Sequence, residues 1–199
     1  MKPRLVTITT ETAVLEISET ITQEELVELC KIGDPAGYTA LYNRYAKEVY
    51  NTIWRLVNHT AEAEDLLQET FVSAFQSIER FEHTGGFRAW VKRIAINKSI
   101  SWLRKKKIRF TELDTANVHL SGEEGIDEEA FVFKVSSVAN AIEKLPEGYR
   151  TIVQLHVFEN MTHADIGDLL GLTNINVRIQ YHRAKLKILR SLKEGGYHE

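Results

Sequence analysis

The sequence predicts an all-α protein: two small helical domains joined by a flexible acidic linker. Three observations predict it. From Gln23 to about Arg109, and again from Val135 onward, apolar residues recur three and four apart, the period of amphipathic helices. Between those stretches, Phe110 to Phe133 shows no sustained period and holds seven acidic residues without a lysine or arginine. Finally, charge is sorted into blocks. Gly85–Arg109 carries nine basic residues and none acidic, His59–Glu82 six acidic and one arginine, and Leu169–Lys193 six basic and none acidic. The net charge of -3 therefore hides several differently charged surfaces.

Residues 1–22 are rich in Thr and Glu and alternate weakly through Leu5, Ile8, Val14 and Ile17, which leaves a short strand or a disordered tail both open. Helical spacing begins near Gln23 with Leu26, Val27, Leu29 and Cys30. Gly33-Asp34-Pro35 marks a stop and a restart, with Asp34 placed to cap and Pro35 at a first helical position. Leu41, Tyr45, Val49, Ile53 and Leu56 then describe a long amphipathic helix, ended by Asn58-His59-Thr60. A third helix, about Ala61–Ile78, buries Leu66, Leu67, Thr70, Phe71, Ala74, Phe75 and Ile78. Its opposite face carries Asp65, Gln68, Glu69 and Val72. That face has the wrong sign for DNA and suits solvent or a basic protein.

After a glycine-marked loop from Phe81 to Gly86 comes the basic segment. Read as a helix, it gathers Phe87, Val91, Ile94 and Trp102 on one side and Arg93, Asn97, Ser101 and Arg104 on another. Cations that face away from an apolar anchor attract phosphate through counterion release. The acidic segment that follows would reach roughly 80 Å if stretched. A loop of that length is unusual within one compact domain, so the chain divides into a tail (1–22), a first domain (23–109), a linker (110–134) and a second domain (135–199).

In the second domain, Val138, Ala139, Ile142 and Leu145 lead to a break at Pro146, and Tyr149, Ile152, Val153, Leu155 and Phe158 follow on the next helix. Thr162-His163-Ala164-Asp165 reads as a capping box with aspartate in place of Glu or Gln. Ile166, Leu169 and Leu170 are buried behind it, Gly171 makes a turn, and Thr173 caps a last helix with Val177, Tyr181, Ala184 and Ile188 inward. Helix, glycine turn and basic helix form a helix-turn-helix pattern. With Val177 facing the core, Ile175, Ile179 and His182 point most directly outward, flanked by Asn176 and Arg183 on one side and Arg178 on the other. Asn can bond adenine bidentately, Arg can bond guanine or phosphate, and the isoleucines could meet thymine methyls.

Little in the chain suggests catalysis. The lone Cys30 excludes an internal disulfide and a multi-cysteine zinc site, and reads as a core thiol. The seven histidines show no zinc-ligand spacing, and there is no Walker loop or GxSxG elbow. Asp65 and Glu69, four apart, read as a solvated face rather than an acid–base pair. No catalytic residue, metal or cofactor is predicted, and an enzyme is the weakest reading. The start MKPRLVTITT lacks an apolar signal region, and no run approaches the roughly 18 residues of a membrane span. A soluble, cytoplasmic protein without membrane insertion is expected.

The segment DLLQETFVSAFQSIERFEHTGGFRAWVKRIAINKSISWLRKKK (65–107) closely resembles region 2 of bacterial sigma factors. AIEKLPEGYRTIVQLHVFENMTHADIGDLLGLTNINVRIQYHRAKLKIL (141–189) resembles region 4. Two regions with a variable linker are the pattern of the extracytoplasmic-function (ECF) class, and the likeness covers about residues 23–107 and 136–193. The resemblance implies that Asp65, Gln68 and Glu69 bind core RNA polymerase. It implies too that Phe81, Phe87, Arg93, Asn97, Lys98 and Arg104 take bases and backbone of the minus-ten element and hold the single strand open. The minus-thirty-five duplex falls to Thr173, Asn174, Ile175, Asn176, Arg178, Ile179, His182 and Arg183. The linker is expected to thread toward the polymerase cleft, and an anti-sigma factor is the expected inhibitor. The recognition helix departs from the usual (S/T)xxTV(K/R)SR: Asn176, Ile179 and Gln180 stand where Thr, Ser and Arg are usual. The family's minus-thirty-five sequence therefore does not carry over. The alternative is a helix-turn-helix regulator that binds duplex DNA without polymerase.

Overall fold

The computed structural model describes residues 21–82, 85–106, 110 and 135–194. The tail, most of the linker, His83 and Thr84 of the loop, and residues 107–109 lie outside them. Two compact units result, divided after Ser101. That point falls inside the basic helix.

In the first unit α1 (Gln23–Lys31) begins with a capping box: Thr22 Oγ1 accepts from Glu25 N at 3.3 Å, and the Glu25 carboxylate accepts from Thr22 N at 2.9 Å. Asp34 caps α2 (Pro35–Val57) through Ala36 N, with Pro35 at its first position. The two helices cross closely at Gly37, where a Cβ would meet Leu29 Cβ at 2.8 Å and Cys30 N at 3.0 Å. Cys30 is buried there, and desolvation pushes its thiol up to about 11, with the Asp34 charge adding to the effect. It is an inert core group.

His59 caps α3 (Thr60–Gln76), its Nδ1 accepting from Glu62 N at 3.4 Å. This helix stops two residues short of the expected end. The Ser77 hydroxyl donates to Ser73 O at 2.6 Å, and a tighter turn, Ile78–Arg80, follows. The basic helix α4 (Gly86–Lys105) starts at Gly86 with φ +78°. Its Phe87 is wholly buried, with ring centroids 5.6 Å from Tyr45, 6.0 Å from Phe81 and 5.7 Å from Trp90. Such aromatic pairs contribute beyond their area burial.

The second unit holds α5 (Val135–Glu143), α6 (Glu147–Val153) running into a π turn (Gln154–Phe158), α7 (His163–Leu170) and α8 (Asn174–Glu194). Ile142, Leu145, Val153 and Ala184 form a core cluster, with Val138, Tyr149, Tyr181 and Ile188 packed against it. Arg150 is buried in service of the chain: its Nη1 donates to Glu143 O at 3.1 Å and so satisfies a carbonyl at the end of α5. The capping box forms with aspartate, Asp165 N to Thr162 Oγ1 at 3.1 Å and Thr162 N to Asp165 Oδ2 at 3.2 Å.

The turn between α7 and α8 is held by Gly171 in the left-handed region (φ +73°), whose N–H donates to Gly167 O at 2.8 Å. A Cβ on Gly167 would come within 2.6 Å of Leu172 O, so the chain there closes only over glycine. Among the described residues no helix is long and apolar enough to cross a membrane.

Candidate nucleic-acid interface

Helix α4 is buried around most of its girth. Phe87, Val91, Ala95, Ile96, Ser99, Ile100 and Leu103 are all buried, while Ile94 and Trp102 are half-buried. Ile96, Ile100 and Leu103 widen the apolar face beyond the line predicted. Along its length Arg93, Asn97, Ser101 and Arg104, all exposed, form a stripe within an arc of about 80° at 100° per residue, with Arg88, Ala89, Lys105 and Lys106 exposed toward the helix ends. Ser101 Oγ donates to the Asn97 backbone carbonyl at 2.8 Å, and the Asn97 side-chain amide carries both donors and an acceptor.

The nine basic residues of this stretch do not all face solvent alike. Arg88 forms a fork on Glu48 of α2, with Nε and Nη2 each 2.7 Å from a carboxylate oxygen, and Lys92 Nζ approaches the same group at 3.3 Å. The Arg88 hydrogen bonds hold the Glu48 carboxyl below its ordinary range, with Lys92 helping. Gln23 adds a second tie: its Oε1 accepts from Tyr45 Oη at 3.0 Å and from Arg88 N at 3.4 Å. Arg88 and Lys92 thus fasten α4 to α2. Lys106 Nζ lies 4.0 Å above the Trp102 ring.

Two predicted base contacts stand differently. Phe81 is 4% exposed and Phe87 0%. Both are packed with Trp90, the Phe81 and Trp90 centroids 5.1 Å apart. A ring that offers no open face cannot stack on a base, so in this structure these aromatics frame the loop from within. An aromatic side chain in sequence can serve either purpose, and only the tertiary contacts decide: Tyr45 on Phe87, and Trp90 on both.

On α3, Asp65, Gln68 and Glu69 are all exposed in one row with Val72, itself 54% exposed. The row is acidic, with an apolar residue at its edge. Lys98 Nζ lies 3.5 Å from Glu69 Oε2.

In the second unit, Thr173 is exposed and caps α8, its Oγ1 accepting from Asn176 N at 3.2 Å. Asn174, Ile175 and Arg178 are exposed, and His182 and Arg183 half-buried. Asn176 and Ile179 are not outward: they are 1% and 2% exposed. The Asn176 oxygen is engaged by Gln180 Nε2 at 2.8 Å, and Ile179, as an apolar chain, is removed from water. A helix phase set from Val177 alone points the outward line about 70° too far round, toward Ile179. The exposed arc instead runs through Asn174, Ile175, Arg178 and Lys185. Lys185 was missed, although its spacing of seven from Arg178 is the signal that finds it.

Beneath this arc His156 and His163 stack with centroids 4.4 Å apart, and Tyr181 meets both. Desolvation, then the His156, Arg178 and Lys185 charges, push His163 below its ordinary value. Among the described residues no group of three or more His, Cys, Asp or Glu could hold a metal.

A profile of Sigma-70 region 2 matches residues 41–108 and one of Sigma-70, region 4, residues 136–188, together more than half the chain. The ECF RNA polymerase sigma factor SigW of Bacillus subtilis (strain 168) is 28% identical over 178 residues, 84% of this chain and 95% of that protein. The chain belongs to the ECF RNA polymerase sigma factors. The RNA polymerase sigma-H factor of Pseudomonas aeruginosa is 28% identical to this sigma factor over 87% of its chain and 96% of the relative. The structure of CnrH, solved with the cytosolic domain of CnrY, is alike in fold (TM-score 0.51, 20% identity, 86% of this chain and 97% of that one).

The region 2 match thus contains the whole acidic row of α3 and the polar stripe of α4, and the region 4 match contains the helix-turn-helix. The glycine turn and the buried Val177 are local consequences of sequence. The narrowness of the α4 stripe is not, since it depends on which helices surround it.

Proposed function

We propose that this sigma factor binds core RNA polymerase through the α3 row, captures opened minus-ten DNA with the α4 stripe, and reads duplex minus-thirty-five DNA with α8. The observation that carries the reading is the α3–α4 pair. An exposed acidic row that repels DNA stands beside an exposed cationic stripe that attracts it, with Lys98 of α4 reaching Glu69 of α3 at 3.5 Å. A regulator that binds duplex DNA alone has no use for the first of these, which disfavours that alternative.

Asp65, Gln68 and Glu69 supply carboxylates and an amide for a basic protein surface, with Val72 for apolar contact. Arg93 and Arg104 take phosphates, while Asn97 offers a donor and an acceptor to an unpaired base edge. Phe81 and Phe87 hold the loop in shape around Trp90. On α8, Asn174, Ile175 and Arg178 reach bases and Lys185 a phosphate, with Thr173 fixing the start of the helix. Promoter opening needs no chemical step from these residues. It needs binding free energy that is larger for the opened strand than for the duplex, and the stripe provides a surface for that difference. An anti-sigma factor is the expected antagonist.

The test is capture of the chain by core polymerase. Asp65→Lys with Glu69→Lys should abolish capture while leaving the circular dichroism spectrum and melting temperature unchanged. Full capture by that variant would remove the α3 row from the interface.

A further inference from the structure

The second unit carries a basic cleft that the recognition arc does not use. It lies where the end of α5 and the Leu145–Pro146 corner meet the later part of α8. Its volume is about 260 Å³, and its lining includes Lys144, Leu145, Pro146, Lys187, Arg190 and Glu194. Lys144, Lys187 and Arg190 are exposed, three cations against the one carboxylate of Glu194. Lys187 Nζ stands 5.9 Å above the Tyr149 ring, which packs on the core cluster. Lys187 follows Arg178 by nine residues, about 180° around the helix at 100° per residue. A duplex lying against Arg178 therefore leaves Lys187 on the far side of α8. The cleft suits a different anion.

We infer that this cleft is the docking site of the chain's own acidic linker, seated through the cluster Glu123, Glu124, Asp127, Glu128 and Glu129. Charge is one argument. Five carboxylates within seven residues, in a segment without lysine or arginine from Phe110 to Phe133, complement the three cations. Reach is the second. The nine residues of α5 span about 13 Å at 1.5 Å each, and the six-residue step from Glu129 to Val135 spans roughly 20 Å when extended. The cluster can therefore run back along α5 and arrive at Lys144. Tethering is the third. A segment joined to α5 by so short a stretch is present at an effective concentration in the millimolar range, against which a separate acidic peptide must compete. Docking would keep the linker on the second unit in the free protein and release it when a stronger cationic surface takes the carboxylates.

Carbodiimide coupling of the full-length chain tests this, because it joins a lysine only to a carboxylate in direct contact. Peptide mapping of the monomer band should find Lys144 or Lys187 joined to Asp127, Glu128 or Glu129. About 1 M salt, where the screening length falls to roughly 3 Å, should suppress these products. Arg190→Glu, which removes a cation without removing a coupled lysine, should lower their yield about fivefold. Coupling of these lysines only to Glu147 or Glu194, linker products found only in dimers, or a yield indifferent to Arg190→Glu would each overturn the inference. No polymerase enters the experiment, so its failure would leave the promoter-recognition reading untouched.

Discussion

Lys98 of α4 reaches back to α3, its Nζ 3.5 Å from Oε2 of Glu69. The pair joins the acidic row proposed for polymerase to a cation at the flank of the stripe proposed for DNA. Side-chain exposures of 27% for Lys98 and 63% for Glu69 put it at the surface, where such pairs contribute at most about 1 kcal/mol. Its consequence is electrostatic more than structural. With Glu69 in place, Lys98 is partly neutralised; a partner that takes the Glu69 carboxylate frees the ammonium for phosphate.

Glu69→Gln should therefore leave the melting temperature almost unchanged and strengthen single-stranded DNA binding. The slope of log affinity against log salt should steepen by up to about 0.7, the value for one added phosphate contact on a single strand. Fluorescence anisotropy across a salt series measures it. An unchanged slope would mean that Lys98 is equally available with its partner present.

Asn97 lies in the middle of the α4 stripe, exposed and without charge. Its amide serves a base edge better than a phosphate. Asn97→Ala should impair promoter opening by about tenfold, the scale of a lost bidentate base contact, while duplex binding by the holoenzyme stays near normal. Permanganate footprinting beside a gel shift separates the two, and equal losses would assign Asn97 to general affinity.

On α8 the exposed Arg178 and the half-buried Arg183 differ in what they can reach. Arg178→Ala should flatten the salt dependence of duplex binding by about 0.9, one phosphate's worth. Arg183→Ala should also lower affinity, with a smaller change in slope because less of its side chain is open to the duplex. The reverse order would shift the reading arc toward the Arg183 side.

His163, stacked on His156, gives the second unit a pH dependence. Burial and neighbouring cations lower the His163 value in the folded chain, so the unfolded chain binds the proton first as pH falls. Stability should hold above about pH 6.5, the ordinary histidine value, and decline below it until the folded form is protonated too. Thermal melts at pH 7.5 and pH 5.5 read the effect. His163→Phe, which keeps a ring against His156 and Tyr181 but cannot take a proton, should reduce the difference. An identical decline in that variant would place the dependence elsewhere.

Much of this was legible because it is local. Asp34-Pro35, the Thr162/Asp165 box and Gly171 act within one turn of where they stand, and each formed as its residue type dictates. The exposed row of Asp65, Gln68 and Glu69 followed from period alone. What escaped depends on neighbours distant in sequence. Phe81 and Phe87 look like exposed stackers until Tyr45 and Trp90 close around them. A phase read from Val177 alone points Ile179 outward and Asn176 to its flank, and both are buried. Glu48 sits in a helix with no mark of importance, yet it takes two cations out of the basic stretch. The π turn at Gln154–Phe158 interrupts a run whose residues all suit an ordinary helix.

The measurement closest to the central claim is run-off transcription from fragmented genomic DNA with purified core RNA polymerase, with and without this chain. The account predicts discrete transcripts that appear only when the chain is added and vanish with the Asp65→Lys, Glu69→Lys double variant. An identical transcript pattern with and without the chain, supplied free of any inhibitor, would contradict it.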